Sequence, residues 1–551
     1  MKLNRQFIFG QTPSINLPRS RFDLSHSIKT AFNQGELIPV LVQECYPGDT
    51  FKVSSVPVVR TSTPYLRPVM DNNFIDLYYF FVPNRLVYHD FQAFMGENTQ
   101  GPWYNQTVKD PPFVSLPGAS SGVVVGSLAD YLGIPLGLKQ DQTKIGTKVS
   151  KIPFRAYALI WNEWFRNENI QDPVQIEKTG GTNGIINGNA WSPSNYTGMP
   201  APVCKIKDYF TSCLPAPQKG PNIDIPLSQS LFGVYATSAH KYNQESNYLT
   251  WQYSSTAAHT PLNAATTIGT TSSGQTIGSA SSLTPGYNYL APDNLEVDLS
   301  NLPGTINDLR FAFALQRMLE KDARFGTRYT EYLQGHFGVI SPDSRLQRPE
   351  FLGGKRISLN IAQVAQTSQG TEDSPLANMA GYSLTAGQAG FSKGIVEHGF
   401  IIGVACIRQV HTYQQGLERF WLRNVRTDYY DPCFANIGEQ PVYAYELDAT
   451  TAQSKQIFGY NEAFADLRFK PNRITGYMRS ASNSGLDLWH FGDVYANTPV
   501  LGDDFIKENK DSLDRTLSSD MLPNFIVDIK HNISAVRVMP TYAIPGLVDH
   551  H

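Results

Sequence analysis

Residues 63–86 read TPYLRPVMDNNFIDLYYFFVPNRL, and the centre of this stretch, residues 74–82, is almost continuous aromatic and aliphatic surface. Turn-forming residues bound the run, since Asp-Asn-Asn precedes it and Pro-Asn follows it. A continuous apolar run between turns predicts a strand buried on both faces, and its aromatic content favours a strand over a buried helix, which periodicity alone does not exclude. Such a strand needs two packed layers, so we expect a second sheet, a long loop or another subunit to cover it.

The bulk composition indicates a β-rich protein with large protein interfaces. Charged residues make up 17% of the 551 residues, below the ~25% typical of soluble proteins, whereas Gly (43), Pro (36), Tyr (28) and Phe (30) are abundant. Low charge with many aromatic side chains fits surfaces that are covered by protein rather than by water. The formal net charge of −3 gives no overall signal for nucleic acid, membrane or acidic substrates.

The cysteines and the apolar segments indicate in which cellular compartment the chain is expected. The five cysteines are an odd number with no C-x-x-C spacing, which predicts reduced, buried thiols rather than a disulfide framework or a zinc site. The amino-terminal residues contain no apolar segment of signal-peptide length, and the longest later apolar run, around residues 400–407, is too short to span a bilayer. We therefore expect a chain that is neither exported nor inserted in a membrane, and we predict no cofactor.

Strand-like segments flank a long polar insertion. Residues 37–64 form short β-type runs separated by Pro and Gly, and β texture returns after residue 345. Two amphipathic helices are predicted between them, one over residues 152–169 and one over residues 305–325 with a continuation through 327–333. This arrangement favours one β core with enlarged loops over separate domains in series.

The insertion itself, residues 180–303, is rich in Gly, Ser, Thr, Asn and Ala. Residues 246–292 contain no Asp, Glu, Lys or Arg, yet Trp and Tyr residues bracket this stretch. Because disordered linkers usually carry charge, we predict a folded loop excursion with a mobile tip. Uncharged Thr, Ser and Asn surface on a long loop is typical of recognition.

Positive charge is concentrated in three places. Residues 1–34 are polar and basic with interleaved Phe; they form either a frayed terminus or an arm that becomes ordered against phosphates. Residues 408–426 and 468–479 place Arg and Lys beside aromatic residues, as a single-stranded nucleic-acid groove does; scattered solvated charges or inter-subunit salt bridges are the alternative explanation. The candidate nucleic-acid residues are Lys2, Arg5, Arg19, Arg21, Arg423, Arg426, Arg468, Lys470 and Arg473.

Two enzyme-like motifs are incomplete. Residues 390–394 match G-x-S-x-G, but a Gly-rich loop precedes them and a strand-like run follows, whereas a nucleophile elbow needs a strand before the Ser and a helix after it. Residues 353–356, GGKR, lack the first Gly and the magnesium-binding Ser or Thr of a phosphate loop, and are predicted to form a basic turn.

Candidate titratable residues also lack the required spacing. His398, His411 and His490 lie in different β segments without metal-ligand spacing. Asp428 and Asp431 occupy a turn-like segment, where carboxylates usually cap the backbone. We expect no catalytic and no metal-binding residues.

Several long segments, in order along the chain, resemble the major capsid proteins of Microviridae, the small icosahedral single-stranded-DNA bacteriophages, and specifically those of the gokushovirus branch. Residues 63–86 are similar to the hallmark segment of that family. The other similar segments are residues 20–40 and 44–51 near the amino terminus, 309–339 and 341–357 in the centre, and 418–442 and 457–479 towards the carboxyl terminus. The insertion 180–303 is not matched residue by residue.

The resemblance implies a mainly β fold, an eight-stranded antiparallel viral jelly roll with long loop insertions and a few helices, built from residues 35–179 and 304–551. It implies a major capsid protein, with sixty copies in a T=1 shell around circular single-stranded DNA and residues 1–34 as an interior arm. Residues 180–303 are expected to form threefold protrusions for host attachment. The candidate host-facing residues are Trp251, Tyr253, Thr270, Ser273 and Tyr287.

The implied partners are further copies of the chain, the DNA genome, minor or pilot/internal virion proteins and a bacterial cell-surface receptor, with assembly in the host cytoplasm. A β-sandwich lectin or glycan-active enzyme stays open as an alternative, although the chain lacks a signal peptide, a disulfide framework and a convincing carboxylate pair. A soluble single-stranded-DNA-binding protein is disfavoured by the near-neutral net charge.

Overall fold

The chain is described by a computed structural model. It covers residues 17–98, 101, 109–118, 122–140, 147–221, 223, 306–367, 377–453 and 455–542, together with the backbone of short strands between residues 234 and 297. Two compact units divide the chain, residues 1–219 with 320–551 and residues 220–319.

Eight strands of the first unit form two four-stranded antiparallel sheets. In chain order they are β1 (His26–Phe32), β2 (Glu36–Cys45), β3 (Thr50–Thr61), β4 (Asn73–Pro83), β5 (Glu350–Leu359), β6 (Met379–Ala386 and Ala389–Gly394), β7 (Gly399–Gln409) and β8 (Phe525–Arg537). The hydrogen-bonded order is β1-β8-β3-β6 in one sheet and β2-β7-β4-β5 in the other. Strands that alternate in this way between two sheets make a jelly roll, so the predicted fold class is confirmed.

Strand β4 is covered by a different layer on each face. On one face, Ile75, Leu77, Tyr79 and Phe81 belong to the apolar cluster between the two sheets. Phe80 and Val82 point the other way and belong to a second cluster, which includes residues of the helix Ile152–Ile160. Both covering layers come from the same chain, so the strand predicted to be buried on both faces is confirmed and needs no neighbouring subunit to cover it.

The helix over β4, called the cover helix below, is Ile152–Ile160 followed by a π-helical turn at Trp161–Phe165. Pro153 lies in its first turn, where the missing N–H costs no hydrogen bond. The Tyr157 hydroxyl donates to the Leu37 carbonyl oxygen (2.6 Å), so this buried ring leaves no polar atom unpaired. The predicted helix is present but ends at Phe165 rather than at residue 169, and it is not amphipathic, because none of residues 152–165 is exposed.

The first long insertion, residues 84–349, joins β4 to β5. A small sheet within it pairs Pro112–Ser115 with Lys148–Ser150 and with Gly181–Ile185. Further along, Ala201–Pro202 pairs with β2 at Glu36 and Leu37. The insertion therefore leaves the jelly roll at the carboxyl end of β4 and re-enters it beside the same end, since Glu350 of β5 pairs with Phe81.

The second long insertion, residues 410–524, joins β7 to β8. It contains the hairpin Glu439–Tyr443 with Ile457–Glu462. Its other elements are the 3-10 turns Arg419–Leu422, Arg426–Asp428, Pro432–Phe434, Ala444–Glu446, Ala465–Leu467, Gly476–Met478, Ser480–Ser482 and Leu486–Trp489, and the helices Asp503–Ile506 and Asp511–Asp514.

Short elements complete the first unit. Ser20–Asp23 pairs with the end of β8, and Ile361–Ala365 pairs with β6. The helices are Asn84–Val87, Phe91–Phe94, Leu128–Tyr131 and Tyr329–Phe337. The predicted second helix is present as Ile306–Phe325, of which residues 306–319 belong to the second unit, and its expected continuation is a separate helix because Gly326, with a φ of 113°, interrupts it.

The second unit contains short antiparallel strands. They are Val234–Ala236 with Leu295–Val297, Trp251–Ser254 with Thr260–Pro261 and Tyr289–Pro292, and Thr266–Thr271 with Gly274–Ser279. The predicted insertion, residues 180–303, and this unit share residues 220–303.

Candidate functional site

The carboxyl-terminal candidate cations are mostly paired with carboxylates of the same chain. Arg423 pairs with Asp466 and Arg468 pairs with Glu462. Glu418 holds both remaining members of that group, since Arg473 pairs with it and the Lys470 ammonium lies 3.3 Å from its Oε2. Arg426 is exposed and makes no ion pair with a described residue. Intrachain ion pairs thus occupy four of the five cations that the sequence assigns to nucleic acid.

The structure describes the chain from residue 17 onwards, so it shows two of the four amino-terminal candidate residues. Lys2 and Arg5 lie outside the described residues. Arg21 lies on the short strand Ser20–Asp23, and its Nε donates to Ser534 Oγ (2.8 Å) on β8. Arg19 lies just before this strand. From Ser20 onwards, the residues of the predicted arm belong to the first sheet.

Asp76 is a carboxylate in the middle of the apolar strand β4, and its side chain is fully buried. Arg356 on the neighbouring β5 donates to both of its oxygens, from Nε (2.7 Å) and Nη2 (2.9 Å). Arg408 on β7, the neighbour on the other side, donates from Nε (3.0 Å). One buried carboxylate thus binds two guanidinium groups, which leaves this group of three with one excess positive charge.

A cavity of about 450 Å³ opens beside these arginines on the outer face of the β4 sheet. The rings that line it are Tyr78, Phe80, Trp164, Phe165 and Phe351. The cations that line it are Arg166, Lys205, Lys207, Arg328, Arg356 and Arg408. Two carboxylates, Glu168 and Glu331, lie on the wall with Arg328.

The sequence-based reasoning missed this cavity, although one signal pointed to it. A lone Asp within an apolar strand is a buried charge and requires cationic partners on the neighbouring strands. Those partners are Arg356 and Arg408. The prediction that residues 353–356 form a basic turn is wrong, because they lie within β5. Gly354 is needed there because a Cβ at this position would lie 2.5 Å from Cδ1 of Tyr78.

A second group of charges is buried close to this cavity, and the two share Lys205. His411 contacts Asp493 Oδ2 through Nδ1 (3.0 Å) and Glu508 Oε1 through Nε2 (3.2 Å). The Lys205 ammonium lies 3.2 Å from Asp493, and the Gln34 amide donates to Glu508 (2.9 Å). Burial alone would lower the pKa of His411, but the two carboxylates outweigh it and raise the pKa to about 9.

The enzyme-like motifs have structural roles. The G-x-S-x-G residues lie in Ala389–Gly394 of β6, not in a strand–turn–helix elbow. Asp428 accepts from the backbone N–H of Asn424 (3.0 Å) and of Val425 (3.1 Å), and Asp431 accepts from Cys433 N–H (2.9 Å). These backbone donors lower the pKa of both carboxylates, which act as caps as expected. No group of ligand side chains suited to a metal ion occurs among the described residues.

The cysteines are free thiols, as predicted, but not all are buried. Cys45, Cys213 and Cys406 are buried, Cys204 is half-buried and Cys433 is exposed. Burial raises the pKa of the Cys45 and Cys406 thiols to about 12, so both are protonated at neutral pH. In the described part of the chain, no helix has the length and apolar character of a membrane span.

The host-facing candidates lie in the second unit. Trp251 and Tyr253 are on the strand Trp251–Ser254, and Thr270 is on Thr266–Thr271. Ser273 and Tyr287 lie outside the described residues.

Comparison with known proteins gives a consistent result over nearly the whole chain. Residues 10–547 match the family model described as "Capsid protein (F protein)". Capsid protein VP1 of Spiroplasma virus 4 is 39% identical over 560 residues, which cover 99% of this chain and 98% of that protein. Capsid protein VP1 of Chlamydia phage 1 is 35% identical (98% and 97% covered), and that of Bdellovibrio phage phiMH2K is 36% identical (98% of each).

Proposed function

Because the chain belongs to the capsid protein (F protein) family, we propose that sixty copies of it form a T=1 icosahedral shell around circular single-stranded DNA. Membership makes the chain a phage capsid protein of the Microviridae type, a structural component of the virion and not an enzyme. The copy number, the type of genome and the attachment to a host go beyond family membership and belong to the proposal.

Exposed apolar side chains in the first unit carry the proposal of a shell. Ile340 is 81% exposed, Tyr477 79% and Met521 90%. Trp421 and Tyr429 are exposed on the second insertion as well. Large apolar side chains left this open are typical of obligate protein interfaces, which bury more than ~2,000 Å².

Sedimentation velocity of the purified protein, recorded at 260 and 280 nm, tests assembly and packaging together. A fast, homogeneous boundary of shell-like mass with a high 260/280 ratio supports a shell that holds nucleic acid. Digestion of the nucleic acid extracted from the particles then identifies it, since single-stranded DNA is degraded by a single-strand-specific DNase and not by RNase. A slow monomer under all assembly conditions would contradict the proposal.

The basic amino terminus is proposed to contact the genome inside the shell. Lys2 and Arg5 precede the first described strand, so removing residues 2–16 spares Ser20–Asp23. We expect the truncated protein to package less DNA, because each lost cation removes a phosphate contact. Unchanged DNA content at an unchanged shell yield would count against an interior arm. Minor or pilot/internal virion proteins are proposed as further partners during assembly in the host cytoplasm.

The insertion 180–303 is proposed to form the outer protrusion that meets a bacterial cell-surface receptor. Its uncharged part, residues 246–292, contains the candidate residues Trp251, Tyr253 and Thr270. Antibodies raised against this part should bind intact particles and reduce adsorption to host cells. Antibodies that bind only denatured protein would argue that the loop is not on the outside.

A further inference from the structure

The sheet β1-β8-β3-β6 has one face against the core and one exposed face, called the open face below, because successive side chains of a strand point to opposite sides. The charged side chains of the open face are Arg21, Asp23, Lys29, Lys52, Arg60, Asp528 and Lys530. Five cations against two carboxylates leave an excess of three positive charges, although the formal net charge of the whole chain is −3. Positive charge is therefore concentrated on this face.

Most of these cations lack a carboxylate partner. The Lys29 ammonium lies 3.4 Å from Asp528 Oδ2 and is paired within the chain. Lys52, Arg60 and Lys530 are exposed and make no ion pair with a described residue. Their charges are therefore available to an anion from outside the chain.

The unpaired cations lie on one line along the strands. The register of β3 with β8 places Lys530 four residues from Lys52 in one direction and four residues from Arg60 in the other. At ~3.3 Å per residue, successive cations are about 13 Å apart. Arg21 extends the line by two residues beyond Lys52. A linear polyanion that runs along β3 and β8 would therefore meet a cation at regular steps.

Exposed apolar side chains lie beside these cations. Ile526 of β8 and Leu384 of β6 are directly opposite Arg60 on its two neighbouring strands, and both are exposed. Tyr382 is exposed on the same face, two residues before Leu384. An unpaired base can cover such surface or stack on the ring, whereas the bases of a duplex cover one another. A row of cations with apolar side chains beside it thus favours a single nucleic-acid strand over a duplex or an isolated phosphate.

The open face lies on the side of the jelly roll opposite to the described start of the insertion 180–303. In that insertion, Ala201–Pro202 pairs with β2, and Lys205 and Lys207 line the cavity on the outer face of the other sheet. The amino-terminal segment enters the structure at Ser20–Asp23, which pairs with β8 of the open face. With the insertion outside and the amino terminus inside, as proposed above, the open face borders the interior of the shell.

We propose that the open face is a contact surface for the packaged single-stranded DNA, in which Lys52, Lys530 and Arg60 pair with phosphates of one segment of the strand. Bases of this segment lie against Ile526 and Tyr382. The proposal rests on the genome packaging proposed above and gives it a position in the fold. Because phosphate contacts and apolar surface do not read base edges, the open face accepts any base sequence.

Binding of a fluorescent oligothymidylate to the full-length protein at several salt concentrations tests the phosphate contacts. The test variant combines Lys52→Gln, Arg60→Gln and Lys530→Gln. Each lost phosphate contact lowers the slope of log K against log salt concentration by about 0.7, so we expect the slope of this variant to fall by about 2. A variant that combines Lys52→Arg, Arg60→Lys and Lys530→Arg keeps the three charges and should bind as the wild type does.

The matched control combines Lys139→Gln, Lys178→Gln and Lys207→Gln. These three lysines of the first insertion are exposed and make no ion pair with a described residue, so the control loses the same charge outside the open face. Its slope should equal that of the wild type. A control that loses as much slope as the test variant would overturn the open face as the site, because binding would then depend on net charge alone. Unfolding midpoints equal to that of the wild type show that each variant is folded.

Chemical labelling of lysines in assembled particles locates the contact. An amine-reactive reagent is applied to DNA-filled particles and to particles emptied of DNA, and the labelled peptides are identified by mass spectrometry. Lys52 and Lys530 should be labelled less in the filled particles, because phosphates cover them. Lys139 and Lys178 should be labelled equally in both.

Two results would overturn the open face as the DNA surface. One is a test variant with the salt slope of the wild type. The other is equal labelling of Lys52 and Lys530 in filled and emptied particles, which a second copy of the chain covering this face would produce. Wild-type particles that contain no DNA would instead overturn the packaging proposal, and oligothymidylate binding would still decide the open face, so the two failures are distinguishable.

Discussion

Raising the pH towards 9.5 is expected to destabilise the folded protein through one buried side chain, His411. In the folded chain its imidazolium lies between Asp493 and Glu508, and Lys205 is the second cation of the group. The Tyr495 hydroxyl also donates to Asp493 (3.0 Å). Loss of the imidazolium proton leaves two buried carboxylates with one cation, which low-dielectric surroundings make costly.

The magnitude follows from the pKa of His411, which the two carboxylates raise from 6.5 to about 9 in spite of burial. A group whose pKa is higher in the folded state stabilises that state fully below its unfolded pKa and loses this contribution as the pH rises through the folded value. The window is therefore about pH 6.5 to 9. A difference of this size corresponds to a loss of about 3 kcal/mol in the free energy of unfolding.

Urea unfolding followed by tryptophan fluorescence at pH 6.5 and pH 9.5 measures this loss. His411→Gln should be destabilised at pH 6.5 and should lack most of the further decrease at pH 9.5. His531→Gln is the matched control, because His531 is also buried but its pKa is lowered to about 4 by burial, so it is neutral throughout the window. It should keep the wild-type dependence on pH between 6.5 and 9.5.

A His411→Gln protein whose free energy of unfolding falls between pH 6.5 and 9.5 as much as that of the wild type would refute the reasoning. The same holds if the His411 C–H resonances titrate at pH 6.5 in NMR spectra of the folded protein. The protonation of His531 should change the free energy of unfolding only in acid. Its lowered pKa means that the folded state loses stability as the pH falls from 6.5 towards 4.

Three substitutions on β4 and its neighbour β5 have expected costs. Phe80→Ala removes a ring packed against the cover helix and should lower the free energy of unfolding by about 3–5 kcal/mol in urea titrations, whereas a cost below about 1 would show that the helix does not pack there. Asp76→Ala leaves the buried Arg408 guanidinium without its carboxylate and should cost about 3–5 kcal/mol, with stability partly recovered when Arg408→Met is added. Gly354→Ala places a Cβ 2.5 Å from Tyr78 Cδ1 and should lower the thermal midpoint by overpacking at about 1–3 kcal/mol, while Lys355→Ala, next to it and exposed, should not.

The local sequence was sufficient to predict the central strand and the cover helix, because both depend on short-range patterns. Residues 74–82 contain enough apolar surface to require two layers, and the apolar spacing of residues 152–165 predicted one of them. Resemblance to a family was needed for the strand order, since pairing of β4 with β7 joins residues more than 300 positions apart. The error at residues 353–356 has a physical cause: glycine marks turns in most sequences, but Gly354 is required by the close approach of the Tyr78 ring.

The candidate nucleic-acid residues were harder to predict, because a cation in a sequence does not reveal its carboxylate partner. Arg423 and Asp466 are 43 positions apart, and Arg473 and Glu418 are 55 positions apart. The cavity beside Asp76 is assembled from β4, the cover helix, β5, β7 and the segments around residues 204–211 and 328–331, so its side chains meet only in the folded chain. The sequence alone shows only that Asp76 is a single charged residue within an apolar strand, which implies cationic partners on the neighbouring strands.

The buried charges around His411 also join the two long insertions to the jelly roll. Lys205 belongs to the first insertion, Asp493 and Glu508 belong to the second, and Gln34 lies in the turn between β1 and β2. The charges in this group balance, so removal of any one of them leaves a buried charge unpaired. The segments that supply these charges are therefore expected to unfold together rather than one at a time. Each segment is then already ordered when its exposed apolar side chains meet another copy. An ordered surface loses less conformational entropy on association than a mobile one, so the burial of these charges within one copy favours the contacts between copies.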